Sequence, residues 1–400
     1  MPLDSCDRPC PVCDHGETQA VLERANVPVH QNSLFQHSVE ARAVRRGQLS
    51  IRCCVRCGFT FNATFDANLL DYGPNYENTQ TCSSMFDEHV NRLIEHLEST
   101  GVRWGRIVEV GCGKGGFLAR LLSRPGNHAT GIGFDPSYLG PDCQLEGRLE
   151  FRKTFFGPET PTAADAAISR HVIEHVEHPV DFLRSIRAGL QDAASPRLFL
   201  ETPCVDWILR NQVVWDFFYE HCSLFTPHSL GLAMHRAGFA TREIRHVFGG
   251  QYLWAEGGLP VGPRPEVNIG PLLESAAAFR RSDRQLRQRW HEIVEDACRE
   301  GPVFVWGAGA KGVTFCNLLD PECRQIAGVV DVNPLKQGMH LAGTGHPIVS
   351  PSTAVQLGVA VVLILNPNYT SEIVVALRAL GSPAATLDLM GKETRHAVSH

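Results

Sequence analysis

Apolar residues in this chain gather into short runs, and the spacing between the runs sets the architecture. In the middle of the 400 residues the runs lie at 107–110, 129–134, 149–154, 164–169, 198–202, 241–247 and 251–256. Short apolar runs bounded by turn residues read as buried strands, and helical stretches between the first five make parallel βαβ units. The last pair differs, because Phe248-Gly-Gly250 leaves room only for a tight turn and therefore an antiparallel hairpin. The predicted fold class is α/β, a seven-stranded doubly wound sheet whose last strand is reversed. Upstream, Met85, Val90, Leu93, Ile94 and Leu97 recur at helical spacing, which predicts a helix over 83–99 lying on the sheet. Beyond a Pro- and Gly-rich linker at 260–271 and a charged helical stretch at 272–299, strands at 303–306, up to 331 and at 361–365 predict a second, Rossmann-like α/β unit.

The first of these strands runs into Gly111, Gly113 and Gly115, where the backbone can turn tightly and approach a ligand. The Gly-x-Gly-x-Gly spacing alone is weak evidence, and a nucleotide-free turn is the plainer reading. Two acids change the balance. Glu109 stands two residues before the first glycine, where it can face an ammonium, and Asp135 ends the next strand, where ribose hydroxyls are usually held. With these acids the segment resembles motif I of class I S-adenosylmethionine (SAM) methyltransferases. After the fourth strand, Ser169-Arg-His-Val-Ile-Glu-His175 resembles the Arg-His-Val-x-Glu-His signature of one methyltransferase branch. That resemblance implies that Arg170 and His171 line the methionine end of the cofactor. The same residues formally match the inverted zinc-protease pattern His-x-x-Glu-His. That pattern needs both histidines on one helix, and here it starts at a strand end, so Glu174 and His175 read as helix-start and supporting groups.

At the N-terminal end, Cys10-Pro-Val-Cys13 and Cys54-Val-Arg-Cys57 form two Cys-x-x-Cys knuckles. Four thiolates from two tight turns fill a tetrahedral zinc site and leave no position open for chemistry, so such a zinc is structural. Four ordinary buried cysteines are the alternative, and Cys53 competes with Cys54 for the ligand role. Cys54 keeps the two-residue spacing. With 43% apolar and 20% charged residues, a net charge of −6 and no long basic run, the chain reads as a globular protein with no nucleic-acid partner. No apolar stretch reaches membrane-span length, the start lacks signal-peptide character, and fourteen cysteines in such a chain suggest reduced thiols. A cytoplasmic protein with a small-molecule substrate, and no membrane or obligate protein partner, is expected.

Between the fifth and sixth strands, residues 203–227 form an aromatic insertion carrying Glu220 and His221. Imidazole titrates near neutral pH, so this pair is a candidate acid/base site, against a packed loop histidine. Tyr72 and Tyr76, in a turn-rich loop, are candidate lid residues. In the C-terminal unit, Gly307-Ala-Gly-Ala-Lys-Gly312 and Asp331 form a dinucleotide-type fingerprint in which Lys311 suits a pyrophosphate, and Asn366 and Tyr369 stand at the mouth of a later strand.

The cysteine pairs, the Glu-x-Gly-x-Gly-x-Gly loop, the Glu-His pair, the Gly249-Gly-Gln-Tyr-Leu253 and Val330-Asp-Val-Asn-Pro334 fragments and the terminal glycine loop come in the order of the three-part sugar C-methyltransferases. The resemblance spans nearly the whole chain. It implies a zinc-binding domain over 1–80, a SAM-binding methyltransferase domain over 81–258, and a linker helix with a Rossmann-like substrate domain over 259–400. It further implies methylation at a carbon of a nucleotide-linked keto-sugar, with His221 as general base, Glu220 as its neighbour, Tyr76 near the sugar, and Lys311, Asp331, Asn366 and Tyr369 facing the substrate. The family pattern Tyr-x-Glu-His meets Phe218-Tyr219-Glu220-His221 here, so either Tyr219 turns inward or the substrate differs. O-methylation, or an NAD-dependent oxidation at the C-terminal glycine loop, are the competing readings.

Overall fold

The computed structural model describes residues 4–5, 8–71, 76–77, 82–191, 196–259, 262, 268–388 and 393–394. Its central sheet runs, in spatial order, Ala240–Val247, Tyr252–Gly258, Arg197–Pro203, Ala166–Arg170, Arg106–Val110, Thr130–Phe134, Leu149–Arg152 and Cys143–Gln144. The five strands from Arg197–Pro203 to Leu149–Arg152 are parallel, and Tyr252–Gly258 inserts antiparallel between the fifth strand and the sixth. This is the class I methyltransferase order. One strand exceeds the seven predicted: Cys143–Gln144, two residues pairing antiparallel at the edge, too short to leave an apolar run.

Side-chain alternation along the strands feeds two cores. Val108, Val110, Ala167, Leu198 and Leu200 face one side, where they join the four knuckle cysteines and Phe59. Ile107, Ile168, Phe199 and Trp254 face the other, against Phe86, Val90, Leu93, Ile94 and Leu97 of the helix Ser84–Ser99. That helix is capped by the Ser83 hydroxyl, which accepts from the Phe86 N–H, so its start matches the predicted one.

The N-terminal sheet contains Glu17–Pro28, Arg46–Cys54 and Thr60–Asn62. The insertion at 203–227 is more ordered than its sequence suggested: it forms a helix at Val205–Arg210, and Ser223–Leu224 adds a strand to the N-terminal sheet beside Thr60–Asn62. Its Trp215, 1% exposed, meets Trp290 and Phe315 edge-on at 5.1 Å each. The helix Gly270–Glu300 starts two residues before the prediction because Pro271 sits in its first turn, where no N–H is required. Most of the proposed linker, like Tyr72, lies outside the described residues.

The C-terminal sheet has the order Ile348–Val349, Ile326–Val330, Val303–Trp306, Val361–Ile364, Ala385–Leu387 and Glu393–Thr394, parallel except for the last strand. It docks on the central sheet through Asn366, whose Nδ2 donates to Gln251 Oε1 at 2.9 Å, and Asn368, whose Nδ2 donates to the Phe248 carbonyl at 2.9 Å.

Candidate active site

At the carboxyl end of Arg106–Val110 the chain turns through Gly111 and Gly113, with φ of 75° and 54°, into a helix at Gly116–Leu122. A Cβ on Gly111 would stand 2.3 Å from Val172, whereas one on Gly113 would meet nothing within 4 Å. The first glycine is required by packing, and the second leaves open space beside the loop. Gly115, at φ 76°, is closed in by Phe151, 2.4 Å from where its Cβ would lie. Asp135 holds the loop from the next strand: Oδ2 accepts from the Gly113 N–H at 2.8 Å, and Oδ1 accepts from the Ser137 N–H at 2.8 Å.

Glu109 is 3% exposed, and its Oε2 has no hydrogen-bond partner among the described residues. Burial raises its pKa to about 8 against the pull of Arg170. A buried carboxylate edge without a donor, beside a glycine turn with open space, fits a ligand bringing an ammonium into the crevice.

Behind it lies a network that the sequence reading missed. Glu201, fully buried, accepts from Arg170 Nε at 2.8 Å, lies 2.5 Å from His89 Nε2 and 3.4 Å from His171 Nε2. Burial alone would raise the Glu201 pKa, but Arg170 and His171 hold it well below the carboxylate range. His171 has φ 53° and lies 3.2 Å from Glu174 Oε1. Burial pushes its imidazole down, but Glu201 and Glu174 outweigh that and raise it to about 9. Arg170 also lies 4.2 Å over the Phe117 ring. Its guanidinium is therefore spent on Glu201 and the helix after the glycine loop. An acid in an otherwise apolar strand run, and a histidine on the apolar face of the helix at 84–99, are signals that could have found Glu201 and His89.

His221 follows a turn in which its N–H donates to the Phe218 carbonyl, and it is partly buried. Its ring stands edge-on to His175 at 4.7 Å and lies 4.2 Å from Phe218. Glu174, His175 and His221 each present a donor atom within 4.8 Å of the others. Burial, then His175, His171 and Lys311, push the His221 pKa well below 6.5. The carboxylate beside the imidazole is thus Glu174, not the expected Glu220. Neighbours in an irregular segment diverge, and Glu220 Oε2 accepts from the Gln31 N–H at 2.8 Å while Oε1 lies 3.6 Å from His30 Nδ1. His30 in turn meets Tyr76 edge-on at 6.2 Å, and Asn32 Nδ2 donates to the Tyr76 hydroxyl at 3.4 Å. Tyr219 does not turn toward His221. It is 1% exposed, and its hydroxyl accepts from the Asp66 N–H at 2.8 Å, so it is a core side chain of the N-terminal sheet.

The C-terminal glycine loop is held from the next strand as the first one is. Asp331 Oδ2 accepts from the Ala308 N–H at 2.8 Å, and the buried Lys336 donates to the Ala308 carbonyl at 3.0 Å. Lys311 pairs with Asp216 of the insertion and lies 5.5 Å over Trp207. Asn366 and Tyr369 stand in the docking seam, where Tyr369 packs 5.7 Å from Phe248. Glu77 joins the first glycine loop to the C-terminal unit: it pairs with Lys114 and accepts from Asn333 Nδ2, two residues after Asp331, at 3.3 Å.

In the knuckles, Cys10 and Cys57 sulfurs lie 3.6 Å apart and Cys13 and Cys54 sulfurs 3.5 Å apart, all four within 4.8 Å of one another. A zinc ion with 2.3 Å bonds to a thiolate tetrahedron needs sulfurs about 3.8 Å apart, so the donor set fits. Cys53 points elsewhere, into the core with Leu49 and Ile51.

A family model described as "Methyltransferase domain" matches residues 80–244, and one described as "C-methyltransferase C-terminal domain" matches 272–386. The C-methyltransferase NovU of Streptomyces niveus is 24% identical over 404 residues, covering 93% of this chain and 92% of that protein. A methyltransferase domain followed by a C-methyltransferase C-terminal domain, with similarity to NovU along nearly the whole chain, is consistent with the three-part C-methyltransferases. This methyltransferase is a class I SAM-dependent enzyme. A mitochondrial ubiquinone biosynthesis O-methyltransferase of Schizosaccharomyces pombe is 35% identical over 105 residues, 24% of this methyltransferase and 37% of that protein. Among solved structures, magnesium protoporphyrin IX methyltransferase (ChlM) of Synechocystis PCC 6803 with bound SAH has a TM-score of 0.36 at 14% identity, covering 47% of this methyltransferase and 90% of that chain. No described helix of the methyltransferase is long and apolar enough to cross a membrane.

Proposed function

We propose that the enzyme methylates a carbon next to the ketone of a nucleotide-linked keto-sugar, with His221 as the general base and a structural zinc on Cys10, Cys13, Cys54 and Cys57. The observation that carries this reading is the imidazole of His221, depressed well below 6.5 and placed against His175 and Glu174 after the strand that ends at Arg170. Burial keeps this imidazole neutral with its lone pair free, and Glu174 beside it can stabilise the imidazolium that forms when a proton is taken. The match to a C-methyltransferase C-terminal domain, and to NovU along almost the whole chain, favours carbon over oxygen as the acceptor.

SAM, when bound, supplies a methyl group already activated by its sulfonium. The chain's residues then hold and deprotonate. Glu109 would receive the amino group, Asp135 the ribose, and the Gly111 to Gly115 backbone the body of the cofactor. Glu201 fixes Arg170 and His171 beneath it. His221 removes the proton next to the ketone, and the carbon so activated faces the methyl group. Holding the two partners in line supplies much of the rate. Tyr76, held by His30 and Asn32, stands on the same wall as Glu220 and borders the sugar, whereas Glu220 ties the catalytic loop to the N-terminal sheet.

His221→Asn should leave SAM affinity unchanged and lower turnover by about 10²- to 10⁴-fold, the usual contribution of a general base. Methyl transfer from labelled SAM to nucleotide-linked keto-sugars, read by mass spectrometry, measures it. A variant with wild-type turnover removes His221 from the mechanism.

A further inference from the structure

Phe218, the ring packed on His221, also walls a half-open cavity of about 250 Å³ between the strand Glu17–Pro28, the catalytic loop and the helices Gly270–Glu300 and Ala310–Leu319. Arg24 lines it and is 7% exposed. Its Nη2 donates to Asp283 Oδ1 at 2.7 Å, but its Nε and Nη1 have no hydrogen-bond partner among the described residues. Arg287, on the same wall, donates its Nε to the other oxygen of Asp283 at 3.1 Å. Two guanidinium groups thus share one carboxylate, and the wall keeps a positive charge. Glu23, the acid that also lines the cavity, is engaged by Arg52 at 3.2 Å and by the Ser50 hydroxyl at 2.9 Å. Gln31 joins the cavity to the catalytic loop: its side chain lines the wall, its Oε1 has no partner among the described residues, and its N–H holds Glu220.

Arg24 and Arg287 bring two guanidinium groups to one wall and share the single carboxylate of Asp283, which leaves that wall suited to an anion. The guanidinium fork suits phosphate oxygens. The volume is below the roughly 300 Å³ at which pockets begin to hold a whole drug-sized ligand, so it takes one part of an acceptor whose reacting carbon lies on the His221 side of Phe218. We infer that this cavity seats the diphosphate of a nucleoside-diphosphate-linked acceptor, with Arg24 and Arg287 as its binding residues. The identity of the acceptor rests on the keto-sugar reading above.

The test is calorimetry of the full-length protein, saturated with SAM, against dTDP, UDP and inorganic pyrophosphate. All three should bind the wild type, more weakly as salt rises. Arg287→Gln should weaken binding at least tenfold with SAM affinity unchanged, because Arg24 still satisfies Asp283 and the fold is kept. Thr314→Phe, which fills the cavity from the helix side, should block binding in the same way. Wild-type binding that survives both substitutions overturns the assignment, and so does a wild type that binds none of the three. Methyl transfer to nucleotide-linked keto-sugars separates the two readings. Turnover with an unchanged KM in Arg287→Gln sinks this site and leaves the keto-sugar reading intact. Absent turnover on such sugars, together with Arg287-dependent pyrophosphate binding, sinks the keto-sugar reading and leaves an anion site.

Discussion

Glu109 and Glu201 are both buried carboxylates near the carboxyl ends of two strands that flank Ala166–Arg170, yet their pKa values shift in opposite directions. Glu201 has Arg170, His171 and His89 around it, whereas Glu109 keeps an oxygen without a donor. With its pKa near 8, Glu109 is protonated at pH 6.5 in the ligand-free protein, and an arriving ammonium favours the ionised form. SAM binding at pH 6.5 should therefore release roughly one proton per site, seen as a dependence of the calorimetric enthalpy on the ionisation enthalpy of the buffer. In Glu109→Gln that dependence should vanish, and SAM affinity should fall by about 1.5–3 kcal/mol, the worth of a hydrogen bond to a charged group. His171 gives a second signature. Its folded pKa of about 9 lies above the unfolded 6.5, so its stabilising effect is complete below pH 6.5 and is lost as pH rises through 9. Denaturant titrations should show stability declining across that window, and His171→Asn should flatten the decline. Unchanged slopes in the variant would contradict the role given to Glu201 and Glu174.

Among the elements, the loop carrying His221 is set by the N-terminal sheet as much as by its own strand. Ser223–Leu224 pairs with Thr60–Asn62, and the Asn62 N–H donates to the Cys222 carbonyl at 3.0 Å, one residue from His221. Thr60–Asn62 begins three residues after Cys57. Cys57→Ser should thus lower the bound zinc, expected at about one ion per chain for a closed four-thiolate site, and reduce turnover more than SAM affinity. Elemental analysis and SAM titration check both halves, and a metal-free protein with full activity would refute it. The sequence made such elements legible unevenly. Inner strands of the central sheet such as Arg106–Val110 and Ala166–Arg170 declared themselves because they are buried nearly throughout and their apolar runs are almost continuous. Two-residue strands such as Ser223–Leu224 carry no period, so the pairing that fixes His221 was invisible. The divergence of Glu220 from His221 was hidden for a related reason: outside helices and strands, adjacency in sequence says nothing about the direction in which a side chain leaves. Of the two alternatives that Phe218 left open, an inward-turning Tyr219 is not the one seen, since its hydroxyl is held by the Asp66 N–H in the core of the N-terminal sheet.

At the scale of the molecule, a single apolar core runs through the N-terminal sheet, the insertion, the long helix and the C-terminal sheet, with Trp215 at the contact to Trp290 and Phe315 and its Nε1 donating to the Leu365 carbonyl at 3.3 Å. Trp215→Ala should cost about 3–5 kcal/mol, the usual range for truncating a buried aromatic, and should loosen the catalytic loop with it. Denaturant unfolding measures the loss, and a change under 1 kcal/mol would mean the core does not couple these parts. The second glycine loop was legible as a fingerprint but not in its use. Asp331 holds its backbone as Asp135 holds that of the first loop, and Lys336 adds a bond to the Ala308 carbonyl, partners that a fingerprint alone does not name.

Glu77 ties the C-terminal unit to the first glycine loop. One carboxylate pairs with Lys114 beside the cofactor loop and accepts from Asn333 on the opposite lobe. Parting the lobes must strip it from one of them. A carboxylate shared in this way couples the two regions, so a disturbance at either contact is felt at the other.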